Sequence, residues 1–181
     1  MVIWFWSDTH FGHWNIVEHC HRPFINLVEM DTTIIKKFNE RVSENDLVFF
    51  LGDFCMKKSS EASDAPQNAF DYYRNQLVCK NIIFIGGNHD KNNGTKTPIE
   101  SINIEHGGFR IHLTHNPRRA NEDFKFNYCG HCHGNEGTFR KLGRKSIIVD
   151  LSVENWDYYP VNINDINQAY SSWLKKGKKN E

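Results

Sequence analysis

The sequence predicts an α/β fold, and three observations carry that expectation. Apolar runs of strand length, rich in aromatic and β-branched residues, recur at 2–6, 47–51 and 81–85. Segments with apolar residues at helical spacing separate them: Ile34, Ile35, Phe38 and Val42 in one, and Phe70, Tyr73 and Leu77 in the other. Each run also ends in a short polar or glycine-bearing loop, which is where open α/β sheets hold their ligands.

The chain has 181 residues, the length of one ordinary domain, and a single domain spanning 1–181 is expected. Hydrophobic residues make up 39% of it, enough for a core, which argues against disorder. The 22 lysines and arginines balance the 22 aspartates and glutamates, so no overall basic field points to nucleic acid or a membrane surface. The basic cluster of Lys175, Lys176, Lys178 and Lys179 reads as a solvated tail. Residues 2–6 are too few for a secretory core and run directly into Asp8, and no apolar run reaches membrane-spanning length. A cytoplasmic location is therefore expected, and five irregularly spaced cysteines fit reduced thiols there.

Taken in order, the first strand delivers Ser7, Asp8, Thr9 and His10 to its C-terminal mouth. Asp8 and His10 stand two apart, so on an extended segment both point the same way and reach one cation. His13, His19, His21 and Arg22 follow before Pro23 stops the segment. His19 and His21 read as solvated surface. Arg22 reads either as a surface salt bridge or as a guanidinium that forks onto a phosphate. Residues 31–42 form a covering helix with Asp31 or Thr32 as its cap. The strand at 47–51 ends at Gly52 and Asp53, and a carboxylate there suits a metal better than a core. Residues 57–67 read as a polar loop, and a second covering helix leads into the strand at 81–85. Gly86 and Gly87 turn the chain, and Asn88, His89 and Asp90 follow. They offer a carbonyl oxygen for a cation, a titratable imidazole, and a carboxylate to orient that imidazole.

Residues 102–106 and 109–114 alternate around Gly107 and Gly108, the pattern of a hairpin. His106 and His112 are structural within it, and His115 closes its second strand. Gly130-His131-Cys132-His133-Gly134 is the second dense cluster, with both imidazoles expected on one side of an extended strand end. Cys129 and Cys132 also form a Cys-x-x-Cys pair. No second pair lies at zinc-finger spacing and no helix start follows to activate a thiol, so a zinc knuckle and a redox pair are disfavoured. A strand at 147–153, β character at 158–161 and a helix carrying Ile166, Ala169, Tyr170, Trp173 and Leu174 complete the chain.

Asp-x-His at 8–10, Gly-Asp at 52–53, Gly-Asn-His-Asp at 87–90, His115 and Gly-His-x-His at 130–133 occur in that order. This set resembles the calcineurin-like metallophosphoesterase superfamily. The opening Ser7-Asp8-Thr9-His10-Phe11-Gly12-His13-Trp14-Asn15-Ile16 is similar in particular to a branch of small bacterial and phage phosphoesterases. The resemblance implies an α/β/β/α sandwich of two mixed β-sheets flanked by helices. It implies Asp8, His10, Asp53 and His133 around one metal and Asp53, Asn88, His115 and His131 around a second, with Asp53 bridging. It also implies that His89 faces the substrate and assists the leaving oxygen while Asp90 steers its ring. Arg22, His13 and Asn88 are the expected substrate contacts.

Two divalent ions side by side acidify a bridging water and clamp phosphate oxygens during in-line attack. The mixed nitrogen and oxygen donors suit manganese first, with iron, zinc or nickel behind it. The expected activity is hydrolysis of small nucleotide-type phosphodiesters, diesters ahead of monoesters, by a monomer or homodimer with no membrane partner. The alternatives are a nuclease that grips nucleic acid through a partner, and a metal-stabilised interaction module without turnover.

Overall fold

Parallel pairing of the first three apolar runs builds one sheet of the computed structural model, which describes residues 1–56 and 68–177. The expected polar loop at 57–67, and Lys178 and Lys179 of the tail, lie outside the described residues. Strands β1 (Ile3–Trp6), β2 (Leu47–Phe50) and β3 (Ile82–Phe84) run parallel. The second sheet has β4 (Ser101–His106), β5 (Phe109–Thr114), β6 (Phe126–Cys129), β7 (Phe139–Leu142) and β8 (Ser146–Asp150) in the order β4-β5-β6-β8-β7. Its three central strands are parallel and both edges antiparallel. β9 (Val161–Asn162) returns to the first sheet, antiparallel to β1. Both sheets are therefore mixed and flanked by helices, as expected.

Alternation along β1 divides the core. Trp4 and Trp6 join Val48 and Phe50 against the stripe Met30, Ile34 and Phe38 of α2 (Leu27–Arg41), with α1 (Asn15–His19) and α3 (Ala69–Arg74) beside it. Phe5, Phe49 and Leu51 point the other way, into Ile111, Leu113, Phe126, Tyr128 and Val149 of the second sheet. α5 (Ile163–Gly177) packs Tyr170 and Trp173 on Phe139. Among the described residues no helix is long and apolar enough to cross a membrane.

Several boundaries differ from the sequence reading. α2 starts before the expected cap, because the Asn26 side chain accepts from the Glu29 amide at 2.8 Å and the Glu29 carboxylate accepts from the Ile25 amide at 2.8 Å. Asp31 is therefore buried inside α2, where it accepts from the Tyr73 hydroxyl and the Gly12 amide. The strand expected to reach Val153 ends at Asp150, and left-handed residues at Asp157 and Tyr158 delay the following pairing to Val161. The hairpin stands as read: His106 pairs with Phe109, and Gly107 and Gly108 take φ of 58° and 79° in the two-residue turn.

The loops after β1, β2 and β3 meet those after β5 and β6 at one rim. Asp8 N–H donates to the Gly52 carbonyl, His10 N–H to that of Asp53, and Gly130 N–H to that of His115.

Candidate metal centre

Asp8 and His10, like His131 and His133, converge by a different route from the extended spacing read from the sequence. Asp8 (φ 59°), His10 (51°), Asp53 (59°), His131 (75°) and His133 (48°) all adopt the left-handed conformation. Each folds its loop back over the strand end, a backbone state that costs of order 1–3 kcal/mol where a non-glycine residue holds it. Five such residues on one rim mark a site whose geometry overrides local preference.

One cluster joins Asp8, His10 and His133, whose ligand atoms lie within 4.8 Å of one another. Asp8 Oδ2 accepts from Ser7 Oγ at 2.5 Å, the His131 amide at 3.0 Å and Ser152 Oγ at 3.2 Å. Asp8 Oδ1 instead stands 3.6 Å from His133 Nε2. Asp8 Oδ1 and His10 Nε2 are both buried with no hydrogen-bond partner among the described residues. Burial pushes the Asp8 carboxyl up and the His10 imidazole down from their ordinary values.

A second cluster joins Asp53, His115 and His131 within the same span. Asn88 Oδ1 completes it, 2.9 Å from both His115 Nε2 and His131 Nδ1. Asp53 Oδ2 lies 3.4 Å from His115 Nε2 and 3.6 Å from His10 Nε2, between the two clusters. His115 Nδ1–H donates to the Leu51 carbonyl at 2.8 Å, which turns Nε2 inward as a metal ligand requires. Burial opposes charge on His115, yet Asp53 and Asp8 outweigh it and hold its pKa up at about 9. Burial likewise opposes charge on His133, and Cys20, Glu154 and Asp8 together raise it to about 11. Burial would raise Asp53, but His115, His10 and the His89 amide keep it ionised far below the usual range.

Imidazoles that hold protons against burial report a rim that calls for positive charge. The donors fit divalent ions: two sets of nitrogen and oxygen atoms stand side by side, Asp53 reaches a histidine of each, and two buried polar atoms have no hydrogen-bond partner among the described residues. Two glycines make the approach tolerable. A Cβ at Gly87 would run into the Asp53 carboxylate, and one at Gly130 into Ser7 Oγ and Asp8 Oδ2.

The remaining expected residues divide. His89 stands at the open side, exposed, its ring 5.4 Å from that of His10 and free of hydrogen bonds among the described residues. His13 Nδ1 lies 3.3 Å from His10 Nδ1, and burial, then neighbouring cations, bring its pKa down to about 4. Asp90 does not steer the His89 ring. Its carboxylate accepts from the amides of Asp53 (2.9 Å), Phe54 (3.1 Å) and Gly87 (2.7 Å), tying the second and third strand-end loops together.

Arg22 is not a phosphate contact. Its side chain is 0% exposed, and its N–H groups go to the Asp8 and Thr9 carbonyls, Met30 Sδ and Glu154. Glu154 is the residue the sequence reading missed. Its Oε1 receives His133 Nδ1 at 2.9 Å and Arg22 Nη2 at 2.7 Å, which aims His133 Nε2 at Asp8. A carboxylate directly after an apolar run, the signal that singled out Asp53, was present at Glu154 too. His112 is structural, its Nδ1 2.7 Å from Asn103 Oδ1. Burial raises the Cys129 and Cys132 thiols, so neither is an activated thiolate.

An uncharacterized protein of Methanocaldococcus jannaschii, MJ1445, is 38% identical over 180 residues, covering 95% of this chain and 90% of its own. The solved structure of AQ665 from Aquifex aeolicus, a protein of unknown function, superposes with a TM-score of 0.65 at 21% identity, covering 93% of this chain and 98% of that one. The calcineurin-like phosphoesterase model matches residues 1–181, and the chain belongs to that family of metal-dependent phosphoesterases.

Proposed function

We propose that the protein is a phosphodiesterase of small substrates that works with two divalent ions, manganese ahead of iron, zinc or nickel. The observation that carries this reading is the Asp53 carboxylate, 3.4 Å from His115 Nε2 and 3.6 Å from His10 Nε2, with the His89 ring 5.4 Å from that of His10. Asp8, His10 and His133 would hold one ion, Asn88, His115 and His131 the other, and Asp53 both. When bound, such ions acidify water and neutralise phosphoryl oxygens.

The chain's own groups do the rest. Asp90 fixes the loops that carry Asp53 and Asn88, and so the separation of the two donor sets. His89 carries a proton to the leaving oxygen, a contribution of roughly 10²–10⁴-fold. An alkoxide leaving group needs that proton in diesters and monoesters alike, and the diester reading rests on the open rim, which leaves room for a second substituent on the phosphate. Asn88, His89 and His131 are exposed, so the rim is open to short or flexible substrates. Zero formal net charge disfavours duplex nucleic acid, which several phosphate contacts from Lys or Arg would hold.

The test is hydrolysis of bis(4-nitrophenyl) phosphate and 4-nitrophenyl phosphate by protein stripped with EDTA and reloaded with each metal. Activity should vanish on stripping, return best with manganese, and favour the diester. Undiminished hydrolysis in excess chelator, by protein free of metal in mass spectrometry, would sink the two-ion reading.

A further inference from the structure

A cleft of about 380 Å³ opens beside the second cluster and shares Asn88 and His115 with it. Its lining also carries Lys91, Glu100 and Arg119. Lys91 is exposed and makes no ion pair among the described residues. Arg119 Nη1 is paired at 2.7 Å with Glu100 Oε2, both side chains being more than half exposed. Such a surface pair is worth about 0–1 kcal/mol, so an incoming phosphate can take over the guanidinium, whose fork suits it. Among the described residues the lining holds no aromatic ring apart from the His115 imidazole, and it is mixed with threonine and asparagine side chains. It offers no platform on which a base would stack.

We propose that this cleft is the subsite for the substrate's flanking half, and that it takes a sugar or polyol bearing a second phosphate, with Lys91 and Arg119 as its cations. The proposal rests on the phosphoesterase reading and names its substrate class: a phosphoester is read through its sugar-phosphate portion, and any base stays outside. The cleft adjoins the ion-binding rim, so one phosphate sits on the rim while a second reaches Lys91 and Arg119.

The experiment is titration calorimetry of the manganese-loaded protein with fructose 1,6-bisphosphate, fructose 6-phosphate and AMP, at a temperature where turnover is slow. The bisphosphate should bind about tenfold or more tightly than the monophosphate, which corresponds to about 1.4 kcal/mol or more for the added charge contact. AMP should bind no tighter than fructose 6-phosphate. Lys91→Gln with Arg119→Gln should collapse the bisphosphate preference. Glu100→Gln, which frees Arg119, should enlarge it. Both cations are exposed, and circular dichroism verifies the variants' fold. Retention of the preference in the double variant, or tighter binding of AMP through its base, overturns the proposal. Binding is read without turnover. A protein that shows the preference but hydrolyses no diester would therefore support the subsite while overturning the catalytic reading.

Discussion

Arg22 and Asp90 show how a charged residue can serve a site without meeting its substrate. Arg22 is locked between the Asp8 and Thr9 carbonyls and Glu154, and removing it would take the guanidinium donors from both buried carbonyls and leave Glu154 with His133 as its remaining partner. Arg22→Ala should therefore destabilise the fold by about 3–5 kcal/mol, read by urea denaturation. A raised KM at unchanged stability would restore the phosphate role instead. Glu154→Gln keeps the shape but weakens the acceptor of His133 Nδ1, and a loss of about 10–100-fold in metal affinity is expected, measured by competition with a chromogenic chelator. His89 and Asp53 separate the roles of the rim. His89→Ala should retain both metals and lose kcat, more for poor leaving groups than for nitrophenolate. Asp53→Asn should lose metal and activity together. Metal analysis of the two variants decides, and a metal site emptied by the His89 change would refute its assignment.

At the scale of elements, legibility followed the period of the pattern. The three runs at 2–6, 47–51 and 81–85 were readable because strands buried on both faces must be continuously apolar. The hairpin was readable because Gly107 and Gly108 tolerate positive φ. β7 was missed because its residues Arg140 and Lys141 dilute an edge strand beyond recognition, and α4 because its turn is only Asp90–Asn93. The candidate ligands that gather at the rim were legible by type and order. Their left-handed backbone was not, because tertiary contacts impose it, and neither was the fate of Arg22, whose partner lies 132 positions away. Asp31 was taken for a cap for the same reason: its partners Gly12 and Tyr73 come from other elements. It couples α2, α3 and the turn after β1, and burial, partly offset by Tyr73 and Gly12, raises its carboxyl to about 6. Since the folded value lies above the unfolded 3.8, stability is fullest below that pH and falls as pH rises through 6, by of order 3 kcal/mol. Asp31→Asn should flatten that slope in denaturation curves taken between pH 4 and 7. An unchanged slope would show that Asp31 titrates as an ordinary carboxylate.

Across the whole molecule the rim joins two sheets. Asp8 and His10 follow β1, Asp53 follows β2 and Asn88 follows β3, whereas His115 follows β5 and His131 and His133 follow β6. Ions held by all of them, as proposed, would tie the sheets together in the folded chain alone. Binding at 100 times Kd stabilises by about 2.7 kcal/mol per site, which at this chain length raises Tm by about 5–10 °C. The pH dependence has a definite sign. His115 and His133, with folded pKa values of about 9 and 11 against the ordinary 6.5, stabilise the metal-free protein fully below pH 6.5. That stability is lost as pH climbs, first through 9 and then through 11. A divalent ion occupies the place of those protons and binds more tightly as they leave. Asp31 has lost most of its protons by the lower edge of this window. The Tm of EDTA-treated protein should therefore fall between pH 6.5 and 9, while that of manganese-loaded protein holds, and the gap between them should widen with pH. Scanning calorimetry of both forms across that range is the measurement. A gap that narrows or stays constant would mean that protons and metal do not compete for His115 and His133, and that the ions bind elsewhere.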